Sequence, residues 1–127
     1  MDKTDRELLE AAAKAAGIEL RYWAESQESF NLALTEPRRW WNPLADDGDA
    51  LRLAVRLGLS PEVHLDASQP LPWLRVVHRY RDGSGQYQET WEHVGPKECA
   101  ADPYAATRRA IVRAAAAMGE NKNGLRT

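Results

Sequence analysis

His78, Glu89 and His93 are the residues whose types best suit metal binding or proton transfer. If Gly83-Ser84 forms a two-residue hairpin turn, His78 and Glu89 lie directly opposite each other on neighbouring strands. His93 then lies on the same face, too far along the strand to share an ion at ligand distances of about 2.0–2.2 Å. We therefore expect no metal and no cofactor, and keep these three residues as an alternative metal- or ligand-binding site.

The candidate nucleophiles, Cys99 and Ser84, lack the neighbours that catalysis requires. Cys99 precedes a predicted helix whose amino terminus could lower its pKa, but no sequence signature links it to a histidine. Ser84 lies in a predicted turn, without the strand, elbow and helix of a hydrolase nucleophile. The chain is therefore expected not to be an enzyme. Cys99 is the only cysteine, which excludes an internal disulfide and fits a reducing compartment.

Three carboxylates close together in Asp46-Asp47-Gly48-Asp49 resemble part of a calcium loop. The full EF-hand spacing and its terminal glutamate are missing. A helix start explains the cluster better, because Asp46 can cap the first amides and Asp47 and Asp49 then complement the helix dipole.

Arginines suggest a second kind of site. Arg108, Arg109 and Arg113 lie within two turns of one predicted helix, while Arg75 and Arg79 point outward from a predicted strand. Such basic faces are typical of nucleic-acid binding. No helix-turn-helix or zinc-finger pattern accompanies them, and the net charge is −2. A nucleic-acid-associated module is therefore kept as an alternative to a solvated helix face.

Five tryptophans are many for 127 residues, and tryptophan is favoured in cores and at interfaces. Pro43 favours an extended chain before it, so Trp40 and Trp41 should point in opposite directions. Trp41 is favoured as the inward residue because it belongs to the Trp41-Asn42-Pro43 element of the family resemblance given below. The predicted hairpin places Trp91 inward and Trp73 on the more polar face. The candidate partner-binding residues are Trp40, Arg38, Arg39, Trp73, Arg75 and Arg79.

The first helix is predicted over residues 5–16. Thr4 and Glu7 have the spacing of a capping box, in which each side chain bonds the other residue's backbone amide. Apolar residues then recur at helical spacing, and Gly17 supplies the end.

Two further helices are predicted over 46–57 and 103–118. The apolar side of the second is formed by Ala50, Leu51, Ala54, Val55 and Leu57. Asp102-Pro103 is a strong start for the third. Its apolar stripe includes Tyr104 and Ile111, and Gly119 is expected to end it.

The strands are predicted from alternating apolar and polar residues. Segments 18–23 and 30–34 suit a hairpin, and residues 63–67 suit a short strand. A second hairpin is predicted over 73–81 and 86–94, with Tyr80 opposite Tyr87 and Val76 opposite Trp91.

This order of elements predicts one α+β domain, residues 1–119, with three helices on a small antiparallel sheet and a flexible tail over 120–127. Charged residues make up 28% and hydrophobic residues 43%, as in ordinary globular proteins. The first 17 residues lack an apolar signal core, and no apolar run approaches the ~20 residues that span a bilayer. The expected location is the cytoplasm.

Two segments, Trp40–Leu59 and Asp102–Gly119, resemble short tailed-phage and prophage proteins of the phage ABA-sandwich type. Trp41-Asn42-Pro43 followed by Asp46 matches one family element, and Ala105–Ala116 matches the closing helix. The resemblance covers roughly residues 4–119, with Ser60–Pro96 the least typical part.

The resemblance implies a phage or prophage origin and a place in the bacterial host cytoplasm. It brings no catalytic residues. The suspected phage origin, the small size and the lack of catalytic chemistry together favour an accessory protein that acts through protein–protein contacts, for instance a counter-defence inhibitor of a host defence protein. They are compatible with a homodimer.

Overall fold

The structure is a computed structural model that describes residues 4–24, 29–32, 40–64 and 73–124. The described part contains four helices and two three-stranded antiparallel sheets, which confirms the α+β prediction. None of its helices combines the length and apolar character needed to cross a bilayer.

The helices are α1 (Asp5–Ala16), α2 (Asp47–Leu57), α3 (Pro96–Ala101) and α4 (Pro103–Gly124). The capping box of α1 is present, with the Thr4 hydroxyl accepting from the Glu7 amide at 3.1 Å and the Glu7 carboxylate accepting from the Thr4 amide at 3.0 Å. The bounds of α1 match its prediction. Helix α3 was not predicted from the sequence.

One sheet contains β1 (Leu20–Ala24), β2 (Ser29–Leu32) and β3 (Trp40–Trp41) in that order. The pairing of β1 with β2 confirms the first predicted hairpin. Strand β3 adds to β2, with Trp41 opposite Phe30.

The other sheet contains β4 (Leu59–His64), β5 (Trp73–Arg81) and β6 (Tyr87–Val94), with β5 in the centre. Strand β4 begins four residues before the strand predicted over 63–67, and residues 65–67 lie outside the described residues. Pro61 lies within β4, which is compatible with a strand because β4 is at the edge of the sheet.

Helix α4 lies at the centre of the molecule. It contacts α1, α2 and α3 and all three strands of the β4–β6 sheet. The fully buried side chains that fill this core include Leu9, Leu53, Leu74, Val76, Val94 and Val112.

Gly119 does not end α4, so that prediction is wrong. The helix continues to Gly124, through residues 120–124 of the predicted tail; residues 125–127 lie outside the described part. Gly119 is buried, and a β-carbon there would collide with the carbonyl oxygen of Ala11. The glycine therefore permits close packing of α4 on α1.

The pairing predicted for the second hairpin is wrong by one residue. Arg79 pairs with Glu89 and Val77 with Trp91, whereas His78 pairs with Thr90. The turn has three residues between Asp82 and Gln86, whose backbones bond at 2.9 Å. Since side chains alternate along a strand, this shift moves every β6 side chain to the opposite face from the one predicted.

Candidate functional site

The face of the β4–β6 sheet that points away from α4 is called here the outer sheet face. The inner face is closed, because Leu74, Val76 and Val94 are fully buried in the core. The alternation of the strands and their register place twelve residues on the outer side: Ser60, Glu62, His64, Trp73, Arg75, Val77, Arg79, Arg81, Tyr87, Glu89, Trp91 and His93.

A chain of ion pairs crosses the outer sheet face. Glu62 accepts from Arg75 Nε at 2.7 Å and from Arg79 Nη2 at 3.2 Å. Arg79 Nε also donates to Glu89 at 2.9 Å. The Arg75 hydrogen bond lowers the pKa of the Glu62 carboxyl group, and the bond to Glu62 raises the pKa of Arg79. Glu62 thus remains charged and holds the guanidinium groups of Arg75 and Arg79 in place.

Aromatic rings flank this ion-pair chain. The Arg75 guanidinium carbon is 5.1 Å from the ring centre of Trp91 and 5.9 Å from that of Trp73. Arg81 lies 5.7 Å from the ring of Tyr87. These distances suit cation–π attraction. Trp91 and Tyr87 are nevertheless 53% and 59% exposed, so the face presents rings that are positioned and open to solvent.

Trp73 is part of an aromatic row at one end of the face. The ring of His64 stacks on Trp73 with centroids 3.9 Å apart, and His93 lies on the β6 side at 6.1 Å. Trp73 is half-buried as a result.

The hairpin turn positions Tyr87 and Arg81 at the other end. Asp82 accepts from the amide and hydroxyl of Ser84 at 2.9 and 2.6 Å and from the Gln86 amide at 3.0 Å. The Ser84 hydroxyl is the largest cause of a lowered pKa at Asp82. Gly85 has φ +83°, which the left-handed position of a three-residue turn requires.

The alternative metal- or ligand-binding site does not assemble. His78 lies on the inner face and Glu89 and His93 on the outer face, so the expected His78–Glu89 pairing is wrong. Burial lowers the pKa of His78, whose ring stacks on Tyr80 at 4.9 Å. Among the described residues, no three histidine, cysteine or carboxylate side chains are grouped to hold an ion.

The arginines of α4 that suggested nucleic-acid binding instead bind other elements of the fold. Arg108 donates to the Leu44 carbonyl at 2.9 Å and to Asp47 at 2.7 Å. Arg109 pairs with Asp5 of α1 at 3.2 Å, and Arg113 is half-buried one turn further along α4. These contacts leave little of the helix available as a basic face.

The predicted partner-binding residues are divided between two sheets. Trp73, Arg75 and Arg79 lie together on the outer sheet face, as their outward orientation predicted. Trp40 is 40% exposed on the other sheet, while Trp41 is buried in the core, which confirms their opposite orientations. Arg38 and Arg39 lie outside the described residues.

The acidic cluster is a helix start, as predicted. Asp46 caps α2 by accepting from the Asp49 amide at 2.8 Å. Buried Asp49 accepts from the Asn42 amide at 3.0 Å and from Arg52 at 2.9 Å. Together these bonds fix Trp41-Asn42-Pro43 to the first turn of α2.

Cys99 is buried, and burial raises the pKa of its thiol. This shift is opposite to the lowering that its position before a predicted helix suggested, because removal of the thiol from solvent has the largest effect on its pKa. A buried, protonated thiol is a poor nucleophile.

Sequence reasoning missed two exposed features. Trp91 was expected inward, and the one-residue register difference accounts for its outward position. Leu51, Val55 and Tyr104 were assigned to apolar helix faces, yet all three are largely exposed. Leu51 and Tyr104 line a groove that also includes Ala50, Pro61, Val63 and Ile111, called here the α2–α4 groove.

Comparison with known proteins adds no assignment. No protein-family model matches the chain, and searches of curated proteins and of solved structures found no significant match.

Proposed function

We propose that the protein is a non-enzymatic binding module that recognises another protein through the outer sheet face. The observation that carries this proposal is that two exposed rings each lie beside an arginine that the protein already holds in place. Trp91 lies beside Arg75, which is bound by Glu62. Tyr87 lies beside Arg81, which donates to the Gly85 carbonyl at 3.1 Å. Tryptophan, tyrosine and arginine supply most of the binding energy at protein interfaces. Side chains held in position before binding lose less conformational entropy when a partner arrives.

The charge balance of the face supports a protein partner. Three arginines are opposed by two carboxylates, and Arg75 and Arg79 each pair with one or both of them. Phosphate binding draws on cations able to release counterions, whereas protein interfaces use charge pairs mainly for specificity. A nearly neutral face with aromatic rings therefore fits a protein partner better than a phosphate backbone.

The resemblance to tailed-phage and prophage proteins would make this partner a component of the bacterial host. A counter-defence role, in which the outer sheet face covers a functional surface of a host defence protein, is the specific form of the proposal. It requires no catalytic group on this chain.

The test is quantitative capture from a bacterial lysate with the wild-type chain, Trp91→Ala and Trp40→Ala. Trp40→Ala is the matched control, because it removes an exposed tryptophan from the other sheet. A captured protein should then be purified and titrated against all three chains. We expect Trp91→Ala to cost about 2 kcal/mol of binding, roughly thirtyfold in Kd, with Trp40→Ala near wild type.

Two results would contradict the proposal. One is that no captured protein depends on Trp91 while the melting temperature of the variant is unchanged. The other is that Trp40→Ala abolishes binding and Trp91→Ala does not, which would assign recognition to the other sheet.

Single-stranded nucleic acid is a second candidate, favoured by one observation. Arg75, Arg79 and Arg81 form a row along β5 beside the exposed rings of β6, and stacking rings next to cations are the elements of single-strand recognition. Fluorescence anisotropy with a labelled oligothymidylate distinguishes this candidate. Binding that falls steeply with salt and is lost in Arg81→Ala would support nucleic acid, and absence of binding at low salt would remove it.

A further inference from the structure

The α2–α4 groove lies between the start of α2, the edge strand β4 and the first turns of α4. Its volume is about 390 Å³, within the roughly 300–1,000 Å³ range of ligand-binding clefts. The lining is largely apolar side chains, notably Ala50, Leu51, Pro61, Val63 and Ile111. It lies on the helix side of the sheet and is separate from the outer sheet face.

The side chains at the mouth of the groove indicate the size of its occupant. Leu51 and Tyr104 are 62% and 71% exposed. A small molecule held inside the groove would cover only the parts of these side chains that line it and would leave the rest in water. A segment of a macromolecule laid across the mouth would cover them, so the hydrophobic gain favours the larger occupant.

Pro61 argues against the simplest way of filling this site, which is a peptide added as a strand to β4. Strand addition draws its affinity from backbone hydrogen bonds along the sheet edge. Proline has no amide hydrogen to donate, and Pro61 occupies the third position of the six-residue strand. An amphipathic helix, whose backbone bonds are satisfied internally, avoids this loss.

The charges around the groove indicate the polar chemistry of the occupant. Residues 46–52 and 102–108 carry four carboxylates and two arginines. The one arginine that lines the groove, Arg108, is 17% exposed and binds Asp47 and the Leu44 carbonyl. Asp47 itself is 75% exposed. Because Asp47 is exposed and its partner Arg108 is largely buried, the groove presents negative charge at its mouth, and lysine or arginine on the occupant would complement it.

We propose that the α2–α4 groove binds a basic amphipathic helix of another protein. Its apolar side chains, spaced three and four residues apart, fill the groove between Leu51 and Tyr104. A lysine or arginine of the helix lies over Asp47. This site is independent of the outer sheet face, and the module would therefore contact its surroundings through two surfaces.

The probe is a labelled synthetic peptide with leucines on one helical face and lysines on the rest. Its binding to the full chain is followed by fluorescence anisotropy. One control peptide has the same composition in scrambled order, and a second has glutamate in place of lysine. We expect the helical lysine peptide to bind at least about tenfold more tightly than either control.

The groove is then tested with Leu51→Ala, Tyr104→Ala and Asp47→Asn, each checked for an unchanged melting temperature. The first two should weaken binding of the lysine peptide about fivefold or more. Asp47→Asn should reduce the preference for lysine over glutamate. Trp91→Ala is the matched control on the outer sheet face and should bind the peptide like wild type, which keeps this test separate from that of the proposed function.

Several results would overturn the groove proposal. These are no binding of the lysine peptide at about 1 mM, equal binding of the scrambled peptide, and binding that Leu51→Ala and Tyr104→Ala leave unchanged. A fourth contradicting result would come from light scattering, which measures the oligomeric state of the chain. If the chain is a dimer that Leu51→Asp dissociates, the groove is occupied by a second copy and the proposed helix is not its ligand.

Discussion

Val76 and Val77 are neighbours on β5, both are fully buried, and they lie on opposite faces of the sheet. Val76 belongs to the main core beneath α4, whereas Val77 lies outside that core. Val77 is opposite Trp91 on one side and Ser60 on the other, between Arg75 and Arg79 along its own strand. The same residue type is thus buried by the protein interior in one case and by surface side chains in the other.

This difference shows that the fractional exposure of a residue does not by itself define a core. Val76 is enclosed by elements that unfold together with the whole domain. Val77 is enclosed by long side chains that are themselves partly exposed and can relax around a smaller residue. Small changes in side-chain volume on the inner face should therefore lower the stability of the domain. The same changes on the outer sheet face should cost less stability and should affect binding instead.

The largest effect is expected where the inner side is most closely packed, at Gly119. Gly119→Ala should lower the free energy of unfolding by about 3 kcal/mol, because the added methyl group collides with the backbone carbonyl of Ala11. Urea denaturation measures this change.

Gly48→Ala in α2 is the matched control for this substitution. Its new methyl group would meet the end of the Arg52 side chain at 3.1 Å and Asp46 Oδ2 at 3.2 Å. The Arg52 side chain can move, and the capping carboxylate need shift by only a few tenths of an ångström. The ordinary helix preference for alanine, up to about 1 kcal/mol, should therefore dominate. An equal loss of stability in both variants would show that close packing of α1 on α4 is not the cause.

A direct comparison of the two faces is the pair Val76→Ala and Val77→Ala. Removal of two buried methyl groups at Val76 should cost about 2 kcal/mol, with a further cavity term. The cost at Val77 should be limited to the transfer term of about 1.5 kcal/mol, without the cavity term, because Trp91 and the arginines can close over the smaller side chain. Equal costs in urea denaturation would remove the distinction between the faces.

The smallest effect concerns acid and the ion pairs of the outer sheet face. The pKa of Glu62 is lowered in the folded protein by its bond to Arg75. Its contribution to stability is therefore present above the unfolded pKa of about 4.3 and is lost as pH falls through the lower folded value. Glu62→Gln should be slightly less stable than wild type at neutral pH, and the difference should shrink progressively as pH falls below about 4.3. If the stability difference persists in acid, its cause is side-chain packing and not the charge of Glu62.

Local signals in the sequence were sufficient to predict α1 and the start of α2. The Thr4 and Asp46 caps act within three residues, so the helix starts they define do not depend on distant parts of the chain. The opposite orientations of Trp40 and Trp41 likewise follow from an extended backbone alone.

The register of the second hairpin required information that the strand pattern does not contain. Gly83-Ser84 and a longer turn ending at Gly85 both suit the sequence. Bonds from Ser84 and Gln86 to the Asp82 side chain favour the longer one. Because both faces carry aromatic and charged residues, apolar alternation could not distinguish the two registers, and the orientation of Trp91 depended on that choice.

Gly119 and Leu51 show a second reason why local sequence patterns could not predict the whole structure. A glycine near the end of an apolar helix suits both a helix end and a close contact, and only the distant Ala11 decides between them. Leu51 shares the apolar pattern of α2 with buried Leu53 and Ala54, yet no element in the described part of the chain covers it.

The packing of α1 against α4 also affects how the domain folds during its synthesis on the ribosome. Arg109 of α4 pairs with Asp5 of α1 across 104 residues of sequence, and the apolar side of α1 packs along the same helix. At synthesis rates of about 5–20 residues per second, α1 emerges from the ribosome roughly 5–20 s before its partner. During that interval Leu8 and Leu9 lack their native cover, so nascent-chain binding by a chaperone would be most useful at the first helix.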